Sequence, residues 1–317
     1  MELPINLKHI IEEKAGALDT KKLIAASKSI TDKYKNDSGK GKRLISDNIE
    51  TTAYSVVRMP ATFGAVFSAL KWTREHFDEE IATVLDVGAG TGAAGWAAFE
   101  AFPEMERLTA LEREENMIAL GKSYMAEGDF PVEYEWVKGD ISAEGNYGHF
   151  DLVTASYVLN ELEETAREKL VKRLFDTAEK LLVIIEPGTV TGFNNIRRIR
   201  KQLIEMGGYI VAPCPHTSDC PMENGDWCHF TARVSRTRLH KLLKGGDAPF
   251  EDEKFSYIAI AKKPASKSER RILRHPTIGN GRIGLRLCTD KGVEDITVTK
   301  KEPLFKKARK ADCGDEI

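Results

Sequence analysis

Two groups of residues in this 317-residue chain have the types and the spacing to do chemistry. The first is a glycine turn, Asp86-Val-Gly88-Ala-Gly90-Thr-Gly92. It follows a short β-type run and opens a helical one, so its backbone can pass close to a ligand and aim N–H groups at it. Turns of this kind hold nucleotide cofactors, and the turn alone leaves SAM and NAD both open. The second group is Cys214, Cys220 and Cys228, a Cys-x5-Cys-x7-Cys array in which two of the three are followed by Pro. Three thiols so concentrated are poor core fillers, and loops of this kind wrap a metal centre. The fourth ligand is not adjacent, and His216, His229, Cys288 and Cys313 are the candidates. Zinc accepts three Cys with one His, whereas an iron–sulfur cluster takes four Cys; the spacing alone slightly favours zinc. With five cysteines in all, a disulfide framework is not expected.

Three details around the glycine turn favour SAM. Asp86 stands just before Gly88, the glycines have Gly-x-Gly-x-Gly spacing, and Glu112 ends the next strand-like run. Together these resemble the class I SAM-dependent methyltransferases. The resemblance implies that Glu112 holds the two ribose hydroxyls, since a carboxylate can accept both hydrogen bonds, and that Asp140 lies beside the adenine edge. Neither the Asn/Asp-Pro-Pro-aromatic signature of base N-methyltransferases nor the nucleophilic Cys of 5-methylcytosine enzymes is present. Asn160, Glu161 and Glu186 stand where substrate would approach; a carboxylate there could accept a proton from an attacking nitrogen or oxygen, or serve only to cap helices and line the pocket.

The elements that must position these residues can be read from periodicity. Up to about residue 78 the pattern is helical, with a polar, Gly-containing loop around residues 36–42. Short β-type runs then alternate with amphipathic stretches: strands over 81–87, 107–111, 132–137, 150–155 and 181–186, helices over 93–102, 114–127, 163–180 and 191–207. Such alternation gives a parallel, doubly wound sheet. After a sixth strand at 209–212 comes a Cys-, Pro- and Gly-rich insertion over 213–253, then a strand over 254–261. Alternation within 281–300 predicts a small β-rich module. The expected organisation is a helical region (1–78), a SAM-binding α/β domain (79–261) and a basic β-rich module (262–317).

The formal net charge is only −2, but Lys and Arg are in excess over residues 262–317, so the rest of the chain is acidic. A basic tail on an acidic body suits a polyanion partner, and it equally suits a solvated basic face. Candidate phosphate contacts are Arg197, Arg198, Arg200 and Lys201, with Lys306, Lys307, Arg309 and Lys310. The longest aliphatic run, Leu181 to Ile185, is far short of the roughly 20 apolar residues of a membrane helix, so no membrane partner is expected. Residues 1–19 mix acidic residues with lysines and lack the bias of a signal or transit peptide, which gives a cytoplasmic expectation.

The cysteine array, Asp226-Trp-Cys-His-Phe230, the later Leu287-Cys288, the early Tyr54-x3-Arg58-Met-Pro60-Ala-Thr62 and the ending Phe305-Lys-Lys-Ala-Arg-Lys310 resemble the mitochondrial small-ribosomal-subunit methyltransferase-like family and its prokaryotic relatives. The resemblance runs from about residue 50 to the end. It implies a 4Fe-4S cluster on Cys214, Cys220, Cys228 and Cys288, with Cys313 outside the ligand set. It also implies association with small-subunit ribosomal RNA during assembly, by a protein expected to be a monomer outside the particle. Methyl transfer is implied by the fold but not by any catalytic signature. The rival expectation is a zinc-containing methyltransferase with a non-ribosomal substrate.

Overall fold

The computed structural model describes residues 1–37, 45, 47–143, 145–222 and 225–317; the polar loop expected around residues 36–42 falls, beyond 37, outside them. Three helices come first: α1 (Ile5–Gly16), α2 (Thr20–Asp37) and α3 (Asn48–Arg74). Asp47 caps α3 by accepting the N–H of Glu50 at 2.8 Å. Because α3 is apolar on most of its circumference, it is buried on most of it and packs against the sheet as well as against α1 and α2.

The α/β body follows as β1 (Thr83–Val87), α4 (Ala93–Ala101), β2 (Arg107–Glu112), α5 (Glu115–Glu127), β3 (Glu133–Lys138), β4 (Phe150–Ser156), α6 (Glu164–Thr177), β5 (Ala178–Pro187), α7 (Val190–Glu205) and β6 (Tyr209–Ala212). Then come β7 (Phe230–Ser235), α8 (Arg238–Lys244) and β8 (Phe250–Ala261). The sheet order is β3-β2-β1-β4-β5-β8-β6, with β7 paired to β8. This is the class I SAM-methyltransferase arrangement. Alternate residues of β5 feed its two faces: Leu181, Val183 and Ile185 join the core shared with α1–α5, Leu182 and Ile184 the core under α6 and α7.

The structure departs from expectation in two places. The sheet is mixed rather than wholly parallel: β8 runs antiparallel to β5, β6 and β7, because β7, α8 and β8 fold back as one long hairpin. The region 213–253 is therefore not a single insertion. It holds β7, in which Phe230, Ala232 and Val234 alternate inward, as well as α8 and the start of β8.

A second sheet closes the chain: β9 (Arg271–Ile272), β10 (Thr277–Gly279), β11 (Arg282–Thr289) and β12 (Gly292–Thr299), followed by α9 (Phe305–Ala308). It has its own core of Ile272, Ile283, Leu285, Leu287, Val298 and Ala308. The last residues stitch it to the body: Gly314 lies against the Trp72 ring, and His76 bonds Glu316 at 2.7 Å.

Candidate functional site

A cavity of about 510 Å³ opens at the carboxyl ends of β1, β2 and β4, lined by Gly88, Gly90, Glu112, Gly139, Ser156, Asn160 and Glu161 among others. Ligands bind open α/β sheets at this end. The turn after β1 is built by left-handed glycines. At Gly88 (φ +74°) a Cβ would stand 2.7 Å from Val158, whereas at Gly90 (φ +55°) nothing lies within 4 Å, so Gly90 is where the turn opens on the cavity. Gly92 begins α4 and packs beneath the turn, against Met125.

Glu112 is almost buried and already engaged. One carboxylate oxygen accepts the N–H of Gly90 (2.8 Å), the other those of Arg113 (2.8 Å) and Glu114 (2.9 Å). Burial pushes its carboxyl above the usual range, and these amides oppose the shift. Asp86 lies below the turn, 1% exposed. Thr154 donates to one of its oxygens at 2.9 Å, and the other oxygen has no partner among the described residues. Burial pushes this carboxyl up to about 7, against the Thr154 hydrogen bond and with added repulsion from Glu112. Asp140 is exposed at the rim, where its carboxylate accepts the N–H and the hydroxyl of Ser142; its neighbours Gly139 and Ile141 face the cavity.

The three candidate catalytic residues separate. Asn160 and Glu161 lie in a 3-10 turn after β4 and line the cavity, and the Asn160 side-chain oxygen is buried without a partner among the described residues. Glu161 stands 3.9 Å from Arg113. Glu186 is fully buried and does not line the cavity. It stands behind this turn, where one carboxylate oxygen accepts the Asn195 amide at 3.4 Å and the other has no partner among the described residues; burial pushes its carboxyl up to about 7, against the Asn195 amide and the nearby backbone amides of Asn160 and Leu159.

Sequence reasoning missed part of the wall. Tyr54, Arg58 and Thr62 recur every fourth residue along α3 and all face the cavity. Arg58 makes a bidentate pair with Glu253 of β8 (3.1 and 3.2 Å), and the Tyr157 hydroxyl donates to the same carboxylate at 3.0 Å. Tyr157 is held at φ +60°, an uncommon conformation for a side chain of this size. The signal available was a polar stripe of period four on an otherwise apolar helix.

The cysteines form a second centre on the far edge of the sheet. Since β5 occupies one edge of β8 over residues 255–261, β6 and β7 must share the other edge, β6 opposite residues 259–261 and β7 opposite 250–255. The loop 213–229 is thus an excursion from one interrupted edge, opposite Ser256, Tyr257 and Ile258. The Ser256 hydroxyl ties it down by donating to the Cys228 carbonyl at 2.7 Å. Cys214, Cys220 and Cys228 line a small pocket there, and Cys288 on β11 completes it. Burial, and then the other thiols, push Cys228 well above the usual thiol range and Cys288 up to about 12. His216 also lines this pocket. His229 stacks on Trp227 instead, and Cys313 lies outside it, its thiol 3.9 Å from the His229 carbonyl. Arg274 binds Asp226 and the Trp227 carbonyl, so side chains of both modules brace the loop. Four thiols converging from two modules on an enclosed pocket suit a multidentate soft-metal centre.

Of the basic residues, Arg197, Arg198, Lys201, Lys306, Lys307, Arg309 and Lys310 are exposed. Arg200 corrects the expectation of a phosphate contact. It is 5% exposed, because helical spacing puts it on the inner face of α7 with Ile196 and Leu203, and its guanidinium donates to the carbonyls of His216 (2.7 Å) and Ser218 (2.8 Å).

Among solved structures, the chain is similar to magnesium protoporphyrin IX methyltransferase (ChlM) from Synechocystis PCC 6803 with bound SAM (14% identity, 78% of this chain and 99% of that one, TM-score 0.42). It is also similar to the plantazolicin methyltransferase BpumL in complex with SAH (12%, 80% and 100%, TM-score 0.44). Among curated proteins it is 24% identical over 287 residues to the human ribosome assembly protein METTL17, mitochondrial, covering 83% of this chain and 61% of that protein. It is 24% identical over 329 residues to the Rsm22-cox11 tandem protein 2, mitochondrial, of Schizosaccharomyces pombe, covering 84% and 43%. The chain thus spans between about two fifths and three fifths of these relatives' lengths. The cytoplasmic expectation is overturned by this finding, since the relatives are mitochondrial proteins and point to mitochondria instead; the mixed charge of residues 1–19 was no guide to compartment. Residues 48–317, the greater part of the chain and the span that holds both centres, match the family described as mitochondrial small ribosomal subunit Rsm22, and the chain belongs to that family.

Proposed function

We propose that this chain is an assembly factor of the small ribosomal subunit that binds SAM in the cavity over Gly90 and carries an iron–sulfur cluster on Cys214, Cys220, Cys228 and Cys288. The observation that carries the SAM reading is the open face of Gly90 beside the buried Glu112 carboxylate. Together they offer a close backbone approach and an acceptor for a diol. When bound, SAM supplies an electrophilic methyl group on a cationic sulfur. Around it, Glu112 orients the ribose, and Arg58, held by Glu253, presents cationic donors to a carboxylate.

The assembly role is favoured over methyl transfer because the two carboxylates expected at the 3-10 turn are poorly placed as bases: Glu186 is fully buried behind the turn and does not line the cavity, and Glu161, which does, is near Arg113. Methyl transfer has one observation in its favour, the unpartnered Asn160 oxygen, which could accept a hydrogen bond from an amine.

An iron–sulfur group is favoured over zinc because four thiols line one pocket, the number and kind of ligand a four-iron cluster takes; His216, which also lines it, is the ligand a zinc site would use in place of one thiol.

Anaerobically purified protein should bind SAM by calorimetry and contain iron and sulfide. Small-subunit particles from a deletion strain, incubated with the protein and methyl-labelled SAM, should take up no label while binding the protein. Stoichiometric labelling of RNA would replace the assembly reading with an enzymatic one, and a colourless zinc protein would replace the cluster with a Cys and His site.

A further inference from the structure

The cysteine pocket carries an unusual set of buried donors. Arg200, Tyr257 and Arg271 are 5%, 2% and 0% exposed. Each retains one polar atom with no hydrogen-bond partner among the described residues: Nε of Arg200, the hydroxyl of Tyr257 and Nη2 of Arg271. Buried donors are normally paired, because an unmet one forfeits its hydration. Arg200 and Tyr257 line the pocket with the four cysteines. Arg271 reaches it from β9 and donates through Nε to the carbonyl of Pro213, the residue before Cys214, at 3.4 Å, and through Nη1 to the Gly314 carbonyl at 2.8 Å.

Charge makes the arrangement more pointed. Neither guanidinium has a carboxylate within ion-pair distance among the described residues; Arg200 donates to loop carbonyls and to the Cys214 thiol, and Glu75 and Glu316 act on Arg271 only at longer range. Two buried cations facing four neutral thiols are uncompensated. Four thiolates around an oxidised four-iron core carry about two negative charges, which two guanidiniums would balance.

We propose that Arg200, Arg271 and Tyr257 are positioning residues of the cysteine centre: they compensate the anionic four-thiolate group, donate hydrogen bonds to its sulfur atoms and thereby hold its reduction potential up. This inference rests on the four-cysteine iron–sulfur reading. Reduction by one electron adds a negative charge to the centre, and cationic or O–H donors around sulfur stabilise that reduced form. Loss of a donor must therefore make reduction harder.

The test uses the anaerobically purified full chain and its Arg200→Met, Arg200→Lys and Tyr257→Phe variants, titrated with dithionite, with iron and sulfide assayed in each. Arg200→Lys, which keeps the charge, should retain iron and stay within about twofold of the parent in its reduced-to-oxidised ratio at a fixed potential. Arg200→Met should either lose iron or lower that ratio at least tenfold, equivalent to about 59 mV for a one-electron couple. Tyr257→Phe, which removes only a hydroxyl, should keep its iron and shift in the same direction by less. Full iron with unmoved potentials in Arg200→Met and Tyr257→Phe overturns the inference while leaving the cluster in place. Equal loss of iron from Arg200→Lys and Arg200→Met also overturns it, since that would make Arg200 a clamp on the loop carbonyls alone. A parent protein without iron overturns both this inference and the cluster assignment.

Discussion

The Cys288 thiol on β11 stands 3.6 Å from Nε2 of His216 in the loop between β6 and β7, although the two are 72 positions apart in sequence. The C-terminal sheet therefore folds back onto the cysteine loop, and a metal group held there would bolt it to the α/β body. Cys288→Ser should remove most of the iron, lower the thermal midpoint by several degrees and weaken binding to small-subunit RNA, because the basic module would lose its register with the body. Under a four-cysteine ligand set His216→Ala and Cys313→Ser should each leave the iron in place, the second because its thiol lies outside the pocket, near the His229 carbonyl. Iron analysis of the three variants separates a four-cysteine set from a Cys and His one: retention in Cys288→Ser with loss in His216→Ala would reverse the assignment.

The glycine turn gives a sharper contrast. Gly90→Ala adds a methyl group where nothing lies within 4 Å, so apart from about 1–2 kcal/mol of left-handed strain its effect should fall on the ligand, with SAM affinity reduced at least tenfold. Gly88→Ala meets Val158 at 2.7 Å and should instead lower the urea midpoint. Glu112→Ala should cost roughly 1–3 kcal/mol of SAM binding and also destabilise the unliganded turn, since the Gly90, Arg113 and Glu114 amides lose their acceptor. Calorimetry paired with urea unfolding distinguishes the three. Equal ligand loss in Gly88→Ala and Gly90→Ala without unfolding would contradict the geometry.

How far the sequence revealed this arrangement differs between its parts. The central strands were legible because strands covered on both faces read as uninterrupted apolar runs such as Leu181 to Ile185. The strand β7 was hidden by the Cys- and Gly-rich composition before it, although Phe230, Ala232 and Val234 alternate correctly. In α7 the run Arg197 to Lys201 reads as one charged patch, yet a period of 3.6 separates Arg200 from its neighbours and turns it inward. The cavity wall was the least legible part. Arg58 and Glu253 are 195 positions apart, and only the sheet order, with β8 beside β5, brings them together.

Two buried carboxyls give the unliganded chain a defined pH dependence. Asp86 is raised from 3.8 to about 7 and Glu186 from 4.5 to about 7, in both cases chiefly by burial. The folded chain therefore keeps protons that the unfolded chain releases, and stability must fall as pH rises from about 4 to about 7 through these groups. Asp86→Asn should flatten that decline, by on the order of 1–3 kcal/mol between pH 5 and pH 8 in urea unfolding. An Asp86→Asn profile that runs parallel to the parent's over this interval would show that Asp86 does not keep its proton in the folded state.

The basic surface yields a prediction in which one residue is the internal control. Lys306, Lys307, Arg309 and Lys310 are exposed around α9, and Arg197, Arg198 and Lys201 are exposed on α7; Arg198 and Lys201 face only the solvated carboxylates Glu164 and Glu205. Such pairs exchange readily for phosphate, since surface ion pairs are worth little. If these side chains meet small-subunit RNA, affinity should fall steeply with salt, and each Lys→Ala or Arg→Ala change among them should flatten the log–log slope by roughly 0.7–0.9. Arg200 sits in the same run but points into the cysteine pocket, so Arg200→Met, which removes the charge, should leave the slope unchanged in protein that retains its iron. Filter binding to small-subunit RNA across a salt series measures both. A slope that no exposed substitution moves would leave these residues as a solvated face, whereas a slope moved equally by Arg200→Met would mean that the inward orientation of Arg200 is lost on the RNA.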